Sequence, residues 1–370
     1  MINNEFYNTV NSIMATALGI EEPSFTYESF IDYGKQLSEL TGADLANNFL
    51  SPLMNRISNE IDTFRNYRDK FSGIKTIGGM GIVQIITHSF YEAKEAKFAN
   101  LVDGQAYPFD VYHAPNIHAD YYTYSNAFDF ELSRSTTELR AAFISPEAMD
   151  SFITSLTGDL WNSINFATES VSRNHVCASI LKALDADPIT TFDGYGRRYD
   201  LVTIFNSYYD ESVSAETALS NPKFVAFTAR FIKNVANRMT DRTKKFNDNE
   251  VDSFVNGDDQ LKTYLLAELK TAIEVSVVNA FNPEGLNIKG EAVNFWQNPD
   301  TPKLVGEDGT VSDVPVIATM FDEYHIIKQV ELEAMDTSYN PKARFLTDYV
   351  HAQYKYLINS NANRVVFTLN

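Results

Sequence analysis

The sequence is poor in the residues and segments that several protein classes require. Only one of its 370 residues is a cysteine, Cys177, so neither an internal disulfide framework nor a cysteine-based zinc cluster is possible. Apolar runs stay far below the roughly 18 residues of a membrane-spanning helix. The first ten residues lack the basic and apolar regions of a secretory signal peptide, so we expect neither secretion nor contact with a membrane.

Positive charge is also scarce. Lys and Arg number 30 against 49 Asp and Glu, which gives a formal net charge of −19 and argues against DNA binding by phosphate neutralisation. The charge is uneven, because residues 1–60 carry eight acidic and two basic residues, whereas Lys223–Lys245 carries seven basic residues and one acidic residue. The basic segment is either a solvated helix face or a contact site for an acidic part of a neighbouring subunit.

Motifs of catalysis and ligand binding are missing as well. The chain has no HExxH, GxSxG, CxxC or Walker motif. His113 and His118 are five residues apart on a segment expected to be extended, which places them on opposite faces and disfavours a metal site. Gly78, Gly79 and Gly81 lack the Lys-Ser/Thr of a phosphate loop and indicate a bulge or a close backbone approach. We expect no catalytic residue, no metal and no cofactor.

Aromatic residues, in contrast, make up 13% of the chain, with 20 Tyr and 26 Phe but only 2 Trp. They can fill a core or cover a surface that is buried against another chain. The tyrosine-rich segment Phe98–Arg140 favours the second use, because apolar and polar residues alternate from Tyr122 to Ser133. We predict an extended two-stranded excursion here. An isolated hairpin is marginal in water, so we expect another subunit to cover it.

The strongest helix signal begins at Ser145, a typical N-cap residue that is followed by Pro146 and an acidic first turn. An apolar face continues to Leu181, and Pro188 ends the helix. About 35–40 residues at 1.5 Å each span roughly 50–60 Å, more than the width of a compact domain. We therefore predict a spine helix shared by more than one lobe, with Gly158 as the point where it can break.

Weaker periodic patterns predict the other elements. One apolar face indicates a helix from Phe6 to Leu18, and another lies within Lys223–Lys245. A further helix is predicted over Gln260–Phe281. From Val314 onward, alternating and continuous apolar runs indicate strands up to the end of the chain.

The order of these features resembles the major capsid proteins of tailed bacteriophages, particularly the branch that infects Gram-positive bacteria. Those proteins adopt the Hong Kong phage capsid fold, which herpesvirus shells also use. None of the matching stretches is a sharp motif, and their force comes from their collinear order. The stretches are Ile74–Ala93, Tyr121–Leu160, Asn237–Asn247, Leu265–Leu286, Val316–Ile326, Tyr339–Pro341 and Phe345–Thr368.

The resemblance implies an α+β fold with a long spine helix, peripheral and apical domains, an N-terminal arm and an extended β-hairpin loop. It divides the chain into an arm (1–73), the extended loop with its base strands (74–140), the spine helix of the peripheral domain (141–190), the apical domain (191–313) and the C-terminal strands of the peripheral domain (314–370).

The implied function is structural. Copies would join as hexamers and pentamers into an icosahedral shell around phage DNA, which lies next to the wall without specific binding. Partners would include a portal and scaffolding or decoration proteins, with assembly in the host bacterial cytoplasm and the virion as the final location. The residues that we expect at inter-subunit contacts are Tyr112, Tyr122, Tyr124, Phe128, Phe130, Lys233, Arg238 and Arg242.

Two alternatives and one modification stay open at this point. The chain could be another virion protein of the tail or minor head, or an acid-type hydrolase that uses paired carboxylates. Some relatives of the resembled family form Lys–Asn cross-links between subunits. Candidates for that reaction are Lys94 and Lys97 with Asn359, Asn361 and Asn363.

Overall fold

The computed structural model describes most of the chain. The described residues are 4–20, 27–40, 44, 46–50, 52, 69–79, 81–88, 117–122, 126–142, 145–278, 290–297, 304–305, 311–312 and 314–370. The helices are α1 (Asn4–Leu18), α2 (Tyr27–Glu39), α3 (Thr136–Ala142), α4 (Pro146–Leu184), α5 (Leu201–Tyr209), α6 (Ala215–Ala218), α7 (Pro222–Thr240) and α8 (Ala267–Val278). A π-helical turn at Ala46–Leu50 and a 3₁₀ turn at Asp258–Gln260 add to these.

The strands fall into two larger sheets and two short ribbons. They are β1 (Lys75–Gly78), β2 (Val83–His88), β3 (Ile117–Tyr122), β4 (Asn126–Ser135), β5 (Arg198–Asp200), β6 (Leu261–Leu266), β7 (Glu291–Val293), β8 (Leu304–Val305), β9 (Val311–Ser312), β10 (Val316–Asp322), β11 (Ile326–Asn340), β12 (Phe345–Ile358) and β13 (Arg364–Thr368). The sheet orders are β1-β11-β12-β4 and β5-β13-β10-β6-β7, and the ribbons are β2-β3 and β8-β9.

The four-stranded sheet is built on the long antiparallel hairpin of β11 and β12. Strand β4 pairs antiparallel with β12, and β1 pairs parallel with β11. One face of this sheet shares a core with α1, α2 and the first half of α4. Buried members of that core include Met14, Phe30, Trp161 and Val350. The apolar face predicted for the first helix is therefore buried within its own chain.

The five-stranded sheet packs against α5 and α7 around an aromatic core. Phe205, Phe224, Phe231 and Phe367 are completely buried there, and the stripe predicted for the basic segment faces this core. The ring of Phe205 meets that of Phe224 edge-on at 5.3 Å between centroids, an arrangement that aromatic pairs favour. Much of the aromatic content of this lobe thus fills a core, which is the first of the two uses considered for it.

Helix α4 is the spine that the sequence predicts. Ser145 caps it by accepting a hydrogen bond from the Ala148 amide at 3.1 Å, and Pro146 occupies its first position. The helix has 39 residues, which corresponds to about 58 Å, and it passes through Gly158 without a break. Trp161 lies in the core of the first sheet, whereas Ile180 lies in a separate core beneath β6, β10 and β13. The helix therefore joins two lobes, as expected.

Two predicted elements differ from the structure. Leu261–Leu266 is not helical but forms strand β6 between β10 and β7, and the helix begins only at Ala267. Six residues in which only Lys262 and Thr263 are clearly polar can satisfy either pattern, and pairing with two neighbouring strands decides the outcome. The excursion also differs, because β3 pairs with β2, which precedes Phe98, whereas β4 pairs with β12. The alternation predicted around β4 is present, but it serves the body of the molecule.

Gly158 lies inside the spine helix, and a Cβ built on it meets no atom within 4 Å. Replacing it with alanine should raise the free energy of unfolding by about 0.5–1 kcal/mol, because alanine loses less backbone entropy in a helix. At Gly290 a Cβ would lie 3.0 Å from the Thr263 carbonyl oxygen, so Gly290→Ala should destabilise the chain. Urea unfolding of the unassembled subunit measures both changes. A loss of stability in Gly158→Ala would contradict the helical geometry at this position.

Candidate assembly surfaces

Only part of the predicted contact set lies in the described structure. Tyr112 and Tyr124 lie outside the described residues. Tyr122 ends strand β3 and pairs in register with Val83 of β2. Phe128 and Phe130 project from β4 towards their own chain, where Phe128 lies 6.4 Å from the Tyr354 ring, measured between centroids. Both phenylalanine side chains are half-buried, and their contact with a neighbouring subunit stays a prediction.

Two arginines of the basic segment Lys223–Lys245 form contacts within their own lobe. Arg238 donates hydrogen bonds to the carbonyl oxygens of Phe192 and Gly194, at 3.0 and 3.1 Å. Arg242 donates to the Asp252 carboxylate at 2.9 Å. Lys233 is half-buried on α7. Arg238 therefore holds a loop of its own lobe, a role that the sequence analysis did not foresee, and inter-subunit roles for these three residues stay predictions.

The ribbon of β2 and β3 exposes two isoleucines, Ile82 and Ile86. Its two strands pair antiparallel over six residues each, from Val83 opposite Tyr122 to His88 opposite Ile117. In the described part of the chain, neither strand pairs with a third. Ile82 is 68% exposed and Ile86 is 49% exposed, and they point to the same side as Gln84 between them. Such a face is typical of a surface that another chain covers.

The root of this ribbon is fixed to the four-stranded sheet through two glycines. Gly79 and Gly81 have φ angles of 137° and 109°, which residues other than glycine rarely adopt. Gln329 Nε2 donates to the Gly79 carbonyl oxygen at 2.6 Å, and Lys355 Nζ donates to the Gly81 carbonyl oxygen at 2.6 Å. The expected close backbone approach is not what requires glycine here, because a Cβ built on Gly78 or Gly81 would meet no atom within 4 Å, whereas the positive φ angles of Gly79 and Gly81 do require it.

An ionic cluster around the buried Asp248 connects the spine helix to the loop after α7 and to the C-terminal strand. Asp248 receives hydrogen bonds from the guanidinium groups of Arg364 and Arg197, and its other oxygen lies 3.0 Å from Lys182 Nζ on α4. Burial alone would raise the pKa of Asp248, but Arg364, Lys182 and Arg197 together lower that pKa below its ordinary value. Asp248 is therefore an ionised carboxylate that neutralises Arg364, whose side chain is 1% exposed.

His325 lies beside this cluster in complete burial. Its Nδ1 donates to the Asn359 carbonyl oxygen at 2.8 Å, and its Nε2 accepts from the Ser179 hydroxyl at 2.6 Å. Burial, and then the charge of Arg364, lower the pKa of His325 to about 3, so the imidazole is neutral at pH 7. The Ser–His pair is sealed from solvent and holds the spine helix to the turn after β10.

A second buried ion pair holds the middle of the spine helix. Arg173 donates to Glu169 at 2.6 Å, one helical turn earlier, and to the Phe295 carbonyl oxygen at 2.6 Å. The Lys70 amide donates to the same glutamate at 3.3 Å, so the segment before β1 is fastened here. Nearby, burial raises the pKa of Cys177 to about 12, which keeps its thiol protonated and unreactive.

The asparagines considered for cross-linking are committed to internal contacts. Asn359, Asn361 and Asn363 are all buried, and the side-chain oxygens of Asn361 and Asn363 accept hydrogen bonds from Asn249 and Ser253 respectively. A lysine from another subunit cannot reach amides that are enclosed in this way, so that proposal is wrong for these acceptors. The lysines at positions 94 and 97 lie outside the described residues.

Metal-ligand groups and membrane-spanning helices are absent from the described ranges. Within these ranges, His, Cys, Asp and Glu side chains do not form a group of three that could hold a metal ion. Among the helices of the same ranges, none combines the length and the apolar character that a bilayer span requires.

Sequence reasoning missed the residues that organise these regions, namely Gln329, Lys355, Asp248 and Arg364. A signal for two of them exists. Lys355 stands between two tyrosines in a mostly apolar strand, and Arg364 begins the continuous apolar run of β13. A lone charge in such a run predicts a buried ion pair. Asp248 sits in a polar loop and carries no such signal.

Comparison with known proteins gives a consistent result. A family model described as Phi29-like phage major capsid protein matches residues 10–368. No curated protein matches the chain significantly in sequence. A capsid structure of Staphylococcus phage Andhra is similar with a TM-score of 0.50 and 10% identity, over 81% of this chain and 83% of that chain.

Two further similar structures have lower scores. One is described as the head fiber and inner core protein gp22 of bacteriophage P68, with a TM-score of 0.46 and 10% identity, over 80% of this chain and 83% of that chain. The other is the mature capsid of bacteriophage PhiM1, with a TM-score of 0.40 and 9% identity, over 82% of this chain and 87% of that chain. The fold expected from the sequence is confirmed by the family model and the Andhra capsid.

Asp248→Asn tests the weight of the ionic cluster. Removing one partner of a buried pair leaves Arg364 without its counter-charge, so the free energy of unfolding should fall by about 3–5 kcal/mol. Asp252→Asn is the matched control, because Asp252 pairs with the exposed Arg242 and its loss should cost less than about 1 kcal/mol. Urea unfolding measures both variants. Equal losses would show that the Asp248 cluster carries no special weight.

His325 should make the subunit less stable as the pH falls. The pKa of an unfolded histidine is about 6.5 and that of folded His325 is about 3, so between these values only the unfolded chain gains the proton. From pH 7 to pH 5 this difference costs about 2 kcal/mol. Urea unfolding at both values should show a smaller loss in His325→Gln than in the wild type. Equal losses in the wild type and in His325→Gln would contradict the assignment.

Proposed function

The chain belongs to the Phi29-like phage major capsid protein family, and from this premise we propose that its copies close into an icosahedral shell through the ribbon of β2 and β3. The family and the fold are structural rather than enzymatic, so the protein is a component of a virion shell. The major capsid protein is therefore retained as the function of this chain. The two alternatives, an acid-type hydrolase and a tail or minor head protein, are set aside.

The exposed ribbon is the observation that carries this proposal. Two strands alone bury too little apolar surface to be stable in water. The ribbon nevertheless presents Ile82 and Ile86 to solvent, on one face. A second copy of the chain is the natural occupant of that face, because a shell protein is surrounded by its own copies. We propose that the loop segment 74–140 provides this contact, together with Tyr112, Tyr122 and Tyr124.

Contacts of this kind generate closed assemblies. When one surface of a subunit binds a different surface of the next, the contact repeats around a ring and closes if the rotation per step fits. We propose rings of six and of five subunits, that is hexamers and pentamers, joined into the shell. The division of the chain into arm, loop, spine helix, apical domain and C-terminal strands, with the boundaries given above, is part of this proposal.

Charge supports a second contact between subunits. The buried face of α1 and α2 packs within its own chain, whereas Asp32 and Glu39 on α2 are exposed. On α7, Arg230 is exposed. We propose that the acidic arm of one subunit meets this basic helix of a neighbour, with Lys233, Arg238 and Arg242 near the contact. Ionic contacts of this kind weaken as salt increases.

The net charge of −19 suits a wall that encloses DNA without adhering to it. We propose that the packaged DNA lies next to the shell and is not specifically bound. A portal and scaffolding or decoration proteins complete the particle in this proposal, and assembly takes place in the cytoplasm of the host bacterium.

Replacing both Ile82 and Ile86 with serine should abolish or strongly reduce shell formation while the subunit stays folded. The change removes apolar area from the ribbon face only, and each buried isoleucine is worth about 1.5–3 kcal/mol per contact. Val275→Ser is the control, because Val275 is 61% exposed on α8, away from the ribbon. Negative-stain electron microscopy counts the shells, and circular dichroism checks the fold. Wild-type numbers of shells from the double variant would refute the ribbon contact.

A further inference from the structure

The turn between β1 and β2 is the point where the ribbon leaves the body of the subunit. Strand β1 belongs to the four-stranded sheet, whereas β2 belongs to the ribbon. Between them lie Gly79, whose amide donates to the Val330 carbonyl oxygen at 3.3 Å, and Gly81. The direction of the whole ribbon relative to the sheet therefore depends on the conformation of these few residues.

Two side chains hold this turn from one place on the sheet. Gln329 on β11 and Lys355 on β12 are opposite each other in the antiparallel register. Gln329 donates to the carbonyl oxygen of Gly79, and Lys355 donates to that of Gly81, each at 2.6 Å. The cross-strand pair of Gln329 and Lys355 therefore holds the turn through one hydrogen bond to each of its two glycines.

Lys355, which holds the turn, is a buried positive charge that pairs with the negative charge of Glu331. Lys355 donates a hydrogen bond to Glu331, and the side chains of the two residues are only 6% and 10% exposed. A buried ion pair adds little stability compared with apolar residues of the same size, because both charges lose their hydration. What the ammonium group supplies here, and an apolar side chain cannot, is a strong directional bond to the Gly81 carbonyl oxygen.

The glycines leave the turn adaptable unless something holds it. Positive φ angles at both glycines suit residues without a Cβ, and such residues have the largest backbone freedom. Without Gln329 and Lys355, the turn could open through a range of angles at little cost. The two bonds therefore select one direction from several that the backbone permits.

We propose that Gln329 and the Lys355–Glu331 pair are positioning residues that fix the angle of the β2–β3 ribbon and thereby the curvature of the assembled shell. This inference rests on the proposed contact between the ribbon and a neighbouring copy. In a head-to-tail contact, the rotation between successive subunits decides between a closed ring and an open helical or planar array. A ribbon whose angle is no longer held by these contacts gives assemblies of mixed curvature.

Variants that remove these hydrogen bonds, called the release variants, test the proposal. Gln329→Leu removes the bond to Gly79, and the double variant Lys355→Met/Glu331→Met replaces the buried pair with apolar side chains of similar size. The matched control is Lys75→Met/Glu323→Met, since this Lys–Glu pair, 3.1 Å apart, lies at the other end of β1 from the turn. Hydrogen exchange on the unassembled full-length subunit reports the ribbon, and electron microscopy of the assembled particles reports curvature.

In the release variants, amide exchange in β2 and β3 should quicken by about tenfold or more, while β10 keeps its protection. Their particles should be tubes, open sheets or shells of several diameters, whereas the wild type and the control give closed shells of one diameter. Slow ribbon exchange in both release variants overturns the proposal. So do uniform shells of wild-type diameter, whatever the exchange shows.

The same set of variants separates this proposal from the ribbon contact itself. If the Ile82 and Ile86 serine variant still forms wild-type shells, the ribbon contact is absent and the proposed function fails at that point. If that variant does not assemble but both release variants form uniform wild-type shells, the contact stands and only the positioning role of Gln329 and Lys355 is wrong. Should the Lys355 variant fail to fold, Gln329→Leu, which changes one neutral bond, decides the outcome.

Discussion

A buried arginine needs a counter-charge at the place where it is buried, and Arg364 meets that need in a way that organises the whole subunit. Its partner Asp248 comes from the loop after α7, and the same carboxylate binds Arg197 and Lys182. The C-terminal strand, the loop after α7 and the spine helix are therefore fixed to one group. Separating the strand from the loop would leave the buried Arg364 without both water and partner, which is far costlier than losing an apolar contact.

The contacts of the spine helix also hold in place the strand to which the root of the ribbon is bound. The spine helix is held at its end by Lys182 and Ser179 and at its middle by Arg173, and β12 packs on it through the Tyr356 hydroxyl, 3.0 Å from the Ser172 hydroxyl. Strand β12 in turn carries Lys355, which reaches the root of the ribbon. A series of polar contacts thus connects the loop after α7, through the spine helix and β12, to the root of the ribbon. A shell protein depends on such rigidity, because small angular errors accumulate over many copies.

How much of this could be foreseen depended on whether the signal was local. The N-cap at Ser145 and the length of the spine helix are local patterns, and the structure confirms them. Strands β11 and β12 are present as well, but the alternation predicted in β11 is interrupted by a bulge after Val330, which leaves Leu332 36% exposed and buries Glu331. The strand Leu261–Leu266 was mistaken for helix because its identity comes from β10 and β7, far away in the sequence. The partner of β4 was also mistaken, since pairing with β12 spans more than 200 residues. The ionic cluster was missed for the same reason, because four separate segments contribute to it.

The position of the β2–β3 ribbon in an assembled particle tests the proposed contact most directly. A cryo-electron microscopy map of the shell at side-chain resolution shows this directly. The account predicts that Ile82 and Ile86 of one subunit are buried against a neighbouring copy, in both hexamers and pentamers, with Lys355 still bound to the root of the ribbon. A map in which these isoleucines face solvent, or pack only on their own subunit, would contradict it.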